Sequence, residues 1–559
     1  MTPSHRGINV ARRRIPPSRP TLAILLIAGV VHTVLGVPGM KWGLPSRERL
    51  ALYDASLAEA VGSGEERLFV TGPLQSYQVD ECSTLVPLAR MNPARLQFNP
   101  KWFHWGTLHL YIVGAVLYLA KLVGAITLTP DRQFYLNNPD QLAAIYQITR
   151  GVSWAMGLGS LALLTVMVRR ATRDFVISLV AVLLFATAPL PVLYSHFGTP
   201  DMAVVFWVLA CACFAGLGRA DEPPWQAIVL SFACAGLAAS VKFHGGLAAV
   251  IPLVQTVRYR RILSLCAGLL CVIGGFVVGS PYAVLDWPRF RSDLFFQLGR
   301  TSEGHGSVFL GTHPALLHHW AETLPAAASP LTTVLMAVAM VAGFVRWRRE
   351  RSAVLAFLVA FWILLARSPV KFARYTLPIL PFHVLLLAWM LADVESKLVR
   401  HAGLVLLIAA LVAQGILSAG HVQVLRAPDV RDQAGMWLSA NGAQGDAVGM
   451  PGRPWFATPP VSKSRFSIEI VPLDVSSIKA AGLQWFILTD YDTEPIRRRP
   501  EVSSNAKAAV DFLLGDDEVH PGVHEFAAAP KPPLLVSWGR RLLPHDMRYH
   551  CPTIWIVGT

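Results

Sequence analysis

The stretch "SYQVDECSTL", residues 76–85, sets two carboxylates side by side, Asp80 and Glu81. Such a pair can stay solvated, hold an ion, or take a proton from a substrate. Cations follow along the chain: Lys101 in "FNPKWFHWG", Arg150, Lys242 in "SVKFHGG", and Lys371 and Arg374 beside Tyr375 in "RSPVKFARYTLP". "YSHFGTPD" adds His196 and Asp201. Arginine and lysine bind a phosphate and stabilise its charge as it leaves, while a carboxylate within reach accepts a proton from a hydroxyl or amine. Together these residue types suit transfer of a group from a lipid phosphate to an acceptor. Each also has a plainer reading. Arg150 serves equally as a snorkelling anchor, Arg374 and Tyr375 as an interface pair, and Asp201 as a helix start after Thr199 and Pro200. Ionisable side chains in or beside apolar segments are expensive, however, and a group of them favours function.

What must position them is apolar. The 559 residues are 53% hydrophobic and only 15% charged, against about 25% charge in soluble domains. This predicts a multi-span membrane protein. The net charge of +14 does not form a nucleic-acid-binding stripe; its cations sit in short clusters between apolar runs. Arg6, Arg12, Arg13, Arg14 and Arg19 precede the first run, which is read as an uncleaved first span after a cytoplasmic basic tail, residues 1–20.

Apolar runs fall at 21–38, 106–126, 142–168, 174–194, 200–218, 226–241, 244–257, 263–282, 329–345, 352–366, 376–393 and 403–421. The basic clusters at 169–173, 258–261 and 346–351 belong in the cytoplasm by the positive-inside rule. They all fall there, together with the N-terminus, only if 106–126 does not cross. That run, carrying His109 and Lys121, is therefore expected to be an interfacial or re-entrant helix. Eleven spans remain, with the N-terminus inside and the C-terminus outside. The tight pair at 226–257 breaks at "SVKFHGG", 240–246, where a broken helix with a lysine suits an anion; a single tilted span with Lys242 snorkelling is the alternative. Under this topology the loop 39–141, the turn at 194–201, the loop 283–328 and the turn at 367–378 all face outward.

From residue 426 the composition changes to short helical and β-like segments, including "LQWFILTD" and "TIWIVG", which predict a small extracytoplasmic α/β domain over 426–559 after a transmembrane domain over 21–425. The seven cysteines show no zinc spacing. Only Cys82 and Cys551 lie outside apolar runs, on the oxidising side, where a disulfide would fasten the C-terminal domain over the first loop; sequence alone leaves that connectivity open.

In order, "QVDECSTL", "FNPKWFHWG", "ITRGVSWAMGLGSLALLTVMVRR", "SHFGTPDMAVVFW" and "KFARYTLPILP" resemble the polytopic GT-C glycosyltransferases, over roughly residues 20–420. The nearest branch holds protein O-mannosyltransferases and lipid A aminoarabinose transferases. The resemblance implies a multi-span helical fold with juxtamembrane helices in the first outer loop. It also implies a polyprenyl- or dolichyl-phosphate sugar donor and inversion of the anomeric centre. It maps the catalytic acid onto Asp80, the later acid onto Asp201, the basic residue before the amphipathic helix onto Lys101, and the late Arg-Tyr onto Arg374 and Tyr375; Glu81 either supports Asp80 or turns away from it. Aminoarabinose transferases carry an acid beside that basic residue; here Asn99 and Pro100 occupy the stretch, so no metal is expected and a divalent cation has no support in the sequence.

The expected donor-phosphate ligands are thus Lys101, Lys242, Arg374 and Arg150, with Asp201, His196, Tyr375 and Lys371 shaping the site. The expected partners are a lipid-linked sugar, the bilayer of the cytoplasmic membrane, and a glycan, lipid or protein acceptor, with no nucleic acid. A transporter or flippase of lipid-linked sugars is the rival from another class, and a catalytically inactive subunit is a third reading. A transporter would spread its charges through the midplane; here they gather on one side.

Overall fold

Each of the twelve apolar runs falls on helix in the computed structural model. The structure describes residues 19–53, 72–218, 222–260, 262–499, 501, 503–515, 522–528 and 543–559. Nearly all of the basic tail expected at 1–20 lies outside those residues. At the centre is the 34-residue helix Pro139–Thr172, about 50 Å long at 1.5 Å per residue. The helices Arg19–Gly36, Phe175–Ala186, Asp201–Phe214 and Leu380–Ala392 pack around it. Arg150, in the N-terminal half of this central helix, reaches the loop that holds Asp80 through the adjacent Glu81.

Among the described residues, three stretches are long and apolar enough to cross a membrane: Arg19–Gly36, Pro139–Thr172 and Lys397–Asn441, the last led by the helix Lys397–Arg426. Phe175–Ala186 and Pro189–Ser195 form a further pair bent by 56°. The cause is local: Pro189 cannot continue the preceding helix, and Ala188 before it is extended at ψ 132°. Six other apolar helices among the described residues are 10–17 residues long, including Leu108–Leu122. Length therefore does not single out that helix as the non-crossing one. It buries His109, Leu110, Val113 and Leu117 and turns Val116, Leu119 and Leu122 outward. The burial of His109 corrects its reading as a surface marker: it faces the protein, not the interface.

The run at 226–257 is not one continuous helix. Trp225–Val241 ends at Lys242, whose backbone is extended (φ −144°, ψ 133°), and a 3₁₀ segment, Phe243–Ala249, leads into Val250–Arg258. Two close approaches hold this break. A Cβ on Gly245 would lie 2.5 Å from the Ala238 carbonyl oxygen, and one on Gly106 would lie 2.0 Å from that of Ser240. Only glycine permits either contact. The Gly106 approach brings "FNPKWFHWG" against the end of the helix that carries Lys242.

Beyond Arg426 a helix, Val430–Asn441, leads into a five-stranded sheet. Strands β1 (Ala447–Met450), β2 (Ser467–Ile470), β3 (Trp485–Thr489), β4 (Val523–Ala527) and β5 (Thr553–Gly558) run in the order β2-β1-β3-β5-β4. The pairs β2–β1 and β1–β3 are parallel; β3–β5 and β5–β4 are antiparallel. Its central strands β3 and β5 are the apolar runs foreseen in the sequence, because burial on both faces demands continuous hydrophobicity. The edge strand β2 is mostly exposed, β4 mixes half-buried with exposed positions, and neither carries such a signal.

Candidate active site

The two acids of "SYQVDECSTL" part company at the start of the helix Cys82–Ala89. Glu81 is fully buried. One of its oxygens accepts from Arg150 Nε and the Gly198 N–H, both at 2.7 Å. The other accepts from the Ser76 hydroxyl at 2.5 Å and Arg150 Nη2 at 2.8 Å. Arg150 commits its remaining donors to the carbonyls of Met40 and Trp42 and to Ser76 Oγ. All five N–H groups of a guanidinium are then used. This corrects the expectation that Arg150 binds phosphate: it has no donor left. Arg150 and Glu81 instead tie the start of the first loop, the turn at Gly198 and the central helix together.

Asp80 turns the other way. Its side chain is 21% exposed and lies 2.9 Å from Arg374 Nη1, a contact whose angle makes it an ion pair rather than an aligned hydrogen bond. Arg374 sits in the 3₁₀ turn Ala373–Thr376, its guanidinium 4.1 Å above the Phe372 ring. Burial alone would lower its pKa, but Asp80, Tyr194, Tyr549 and Asp546 around it carry it well above the ordinary value. It is a fixed cation.

A second pair lies alongside. Lys242 Nζ donates to Asp201 at 2.7 Å, both side chains buried. The break after Val241 points the lysine inward, and Asp201 opens the helix Asp201–Phe214. The Trp105 ring lies 5.2 Å from Nζ. Arg374 and Tyr375 both interact electrostatically with Asp201 as well as with Asp80, so the two pairs form one cluster. His109 and His244 border it through Lys242 and Asp201. Neither ring nitrogen of the buried His109 has a hydrogen-bond partner among the described residues.

The other expected residues take other places. Lys101 is exposed, at a left-handed φ of 50°, and forms no ion pair among the described residues. Asn99 donates to Asp286 at 2.7 Å and accepts from the Lys101 N–H, so it fixes the loop rather than standing in for an acid. Among the described residues, no three His, Cys, Asp or Glu side chains gather as metal ligands do. His196 is held between the Val192 and Pro38 carbonyls, each at 2.8 Å; it secures the first loop's entry. Lys371 donates to Thr312 Oγ1 and the His313 carbonyl, fastening the loop 303–322 to the Arg374 turn.

On that loop, His305 lies edge-on to Phe372 at 5.2 Å and accepts from Arg300. Burial, with Arg300 and Arg374 adding to it, lowers its pKa to about 4, so it is neutral at pH 7. Beyond Phe372 a pocket of about 110 Å³ opens among Phe309, His313, His318, Arg498, His545 and Arg548.

Cys82 and Cys551 are both free thiols, so the disulfide that the sequence left open is not formed. Cys82 donates to the Val79 carbonyl. Burial raises both thiol pKa values to about 12, leaving almost no thiolate to exchange. Hydrogen bonds and guanidinium stacking fasten the C-terminal domain instead. Tyr77 is sandwiched between Arg49 at 3.6 Å and Arg431 at 3.9 Å, and its hydroxyl donates to Asp432 at 2.5 Å. Arg431 grips Asp429, which accepts from Trp42 Nε1. Accordingly, Cys82→Ser is expected to leave mobility on a non-reducing gel unchanged, and a reductant should not lower the wild-type melting temperature. A faster-migrating band that disappears with Cys82→Ser would refute this.

Sequence reasoning missed Asp546, Tyr549 and Tyr194, which surround Arg374 from distant parts of the chain. A lone aspartate in "PHDMRYHC" carries no signal of where it docks.

No protein-family model and no curated protein matches the chain. Among solved structures it is similar to ArnT from Cupriavidus metallidurans in the apo state, at 17% identity and a TM-score of 0.43, covering 75% of this chain and 68% of that one. The same protein bound to undecaprenyl phosphate gives 12% and 0.44, covering 85% and 94%. The Archaeoglobus fulgidus oligosaccharyltransferase complex with zinc and sulfate gives 11% and 0.41, covering 88% and 71%. These are distant likenesses of shape, and the pairing of Asp80 with Arg374 and of Asp201 with Lys242 stands on this chain's own geometry.

Proposed function

We propose that this chain is a polytopic GT-C-type glycosyltransferase of the cytoplasmic membrane. It moves a sugar from a polyprenyl-phosphate donor to a glycan, lipid or protein acceptor on the extracytoplasmic face. The supporting observation is the cluster in which each carboxylate faces one cation, Asp80 with Arg374 and Asp201 with Lys242. Under the eleven-span topology expected from loop charge, with the N-terminus inside, that cluster lies at the outer boundary.

The chemistry follows from the donor count. Lys242 gives one hydrogen bond to Asp201, leaving two of an ammonium's three for a phosphate. Arg374 Nη1 has no aligned acceptor. A donor phosphate entering between them meets two cations already held in place, which preorganises charge stabilisation. The acceptor oxygen or nitrogen attacks the anomeric carbon from the face opposite the phosphate. Its bond forms as the carbon–oxygen bond to phosphate breaks, so the centre inverts. Asp80 takes the acceptor's proton, and the departing charge stays on polyprenyl phosphate beside Lys242 and Arg374. Asp201 keeps Lys242 aimed.

The test is incubation of the purified protein in nanodiscs with a panel of radiolabelled polyprenyl-phosphate sugars and membrane extract. Label should move to a new product as polyprenyl phosphate is released. Passage of the intact labelled donor across vesicle membranes without that release would overturn the assignment in favour of a transporter.

A further inference from the structure

Asp546 lies ahead of β5 in the C-terminal domain and is completely buried, yet among the described residues its side-chain hydrogen bonds all reach back into the helical domain. Oδ1 accepts from the Ala373 N–H at 2.8 Å. Oδ2 accepts from the Arg374 N–H at 3.0 Å and the Tyr194 hydroxyl at 2.9 Å. The Arg374 guanidinium lies 4.0 Å away. The first N–H groups of a helical turn have no partner within that turn. Here the cap comes from a residue more than 170 positions further along the chain. Three residues later Tyr549 is buried with its hydroxyl against Arg374, while its carbonyl accepts from Arg431 at 3.0 Å. Arg431 stacks on Tyr77, three residues before Asp80. One domain thus grips both halves of the Asp80–Arg374 pair, the loop through Tyr77 and the turn through Asp546.

We propose that Asp546 is a positioning residue, through which the C-terminal domain sets Arg374 against Asp80, so that the transferase site is complete only with that domain docked. This rests on the reading of Asp80 and Arg374 given above. A carboxylate is the side chain the place requires, because two N–H groups, a hydroxyl and a guanidinium all converge on it. An asparagine would set its own N–H₂ against donors.

The test uses the full chain in lipid nanodiscs. Asp546→Asn is expected to lower kcat about 100-fold, the scale of a misplacement near 1 Å, with donor KM within about twofold. In an Arg374→Ala background the same change should cost little more, since residues acting as a unit are non-additive. Amide hydrogen exchange at 372–376 and at 78–84 should rise while the distant helix 397–426 is unchanged. Tyr194→Phe, which removes one of the three hydrogen bonds, should act in the same direction more weakly and serves if Asp546→Asn does not insert. An undiminished kcat, an equal loss in the Arg374→Ala background, or unchanged exchange at 78–84 would overturn the proposal. Absence of sugar transfer by the wild type would overturn the functional reading instead. The exchange data would then still decide whether Asp546 holds the pair.

Discussion

Asp80→Asn is expected to lower the turnover number for sugar transfer about 1,000-fold, within the range a positioned general base contributes, and to leave donor KM and membrane insertion close to wild type. The substitution keeps shape and volume but removes the proton acceptor together with the negative charge that faces Arg374. Its structural cost is limited for two reasons. Asp80 is 21% exposed, so it is not a fully desolvated charge. Arg374 also keeps Asp546 at 4.0 Å and the Tyr549 hydroxyl beside it, so it is not left alone. Steady-state kinetics with a polyprenyl-phosphate sugar, read beside thermal unfolding, separate the two effects. Near-normal turnover in Asp80→Asn would sink the assignment of Asp80. A large fall in melting temperature would make it a structural residue like its neighbour.

That contrast with Glu81 shows where the sequence is readable and where it stops. Apolar runs are written locally, in residues that must all be hydrophobic to be buried. The twelve runs therefore fall on helix, and the break at 240–246 appears where its glycines and Lys242 announce it. β3 and β5 are legible for the same reason, while β2 and β4 lie at the exposed edges of the sheet and need no such pattern. Side-chain partnership is not local. Nothing in "VDEC" says that Glu81 turns inward to a guanidinium 69 residues away while Asp80 turns to one almost 300 residues away. The same blindness left the pairing of Cys82 with Cys551 open. Loop charge put both cysteines on one side, and the domain does dock over the loop, but through Tyr77, Asp429, Arg431 and Asp432. Arg150 looked like a phosphate ligand because an arginine near the end of a span is unusual; its cause is a buried carboxylate.

The largest expected loss of stability follows from that pair. Arg150→Met should destabilise the protein by about 3–5 kcal/mol, the cost of leaving one charge of a buried pair uncompensated. Glu81 would keep only the Ser76 hydroxyl and the Gly198 N–H. Thermal unfolding in nanodiscs and the yield of inserted protein measure this. Were Arg150 a donor ligand instead, the same change would raise donor KM and leave the melting temperature in place. A second substitution sharpens the test. Replacing an isolated buried ion pair by apolar side chains is often neutral, and on that rule alone Glu81→Leu added to Arg150→Met would restore stability. Here it should not. The Met40 and Trp42 carbonyls and the Gly198 N–H all take their hydrogen bonds from this pair. Removing both side chains strands those backbone groups, at about 1–3 kcal/mol each where water is excluded. The double variant should therefore remain well below wild type, and full recovery would mean that the pair is dispensable to the first loop's entry.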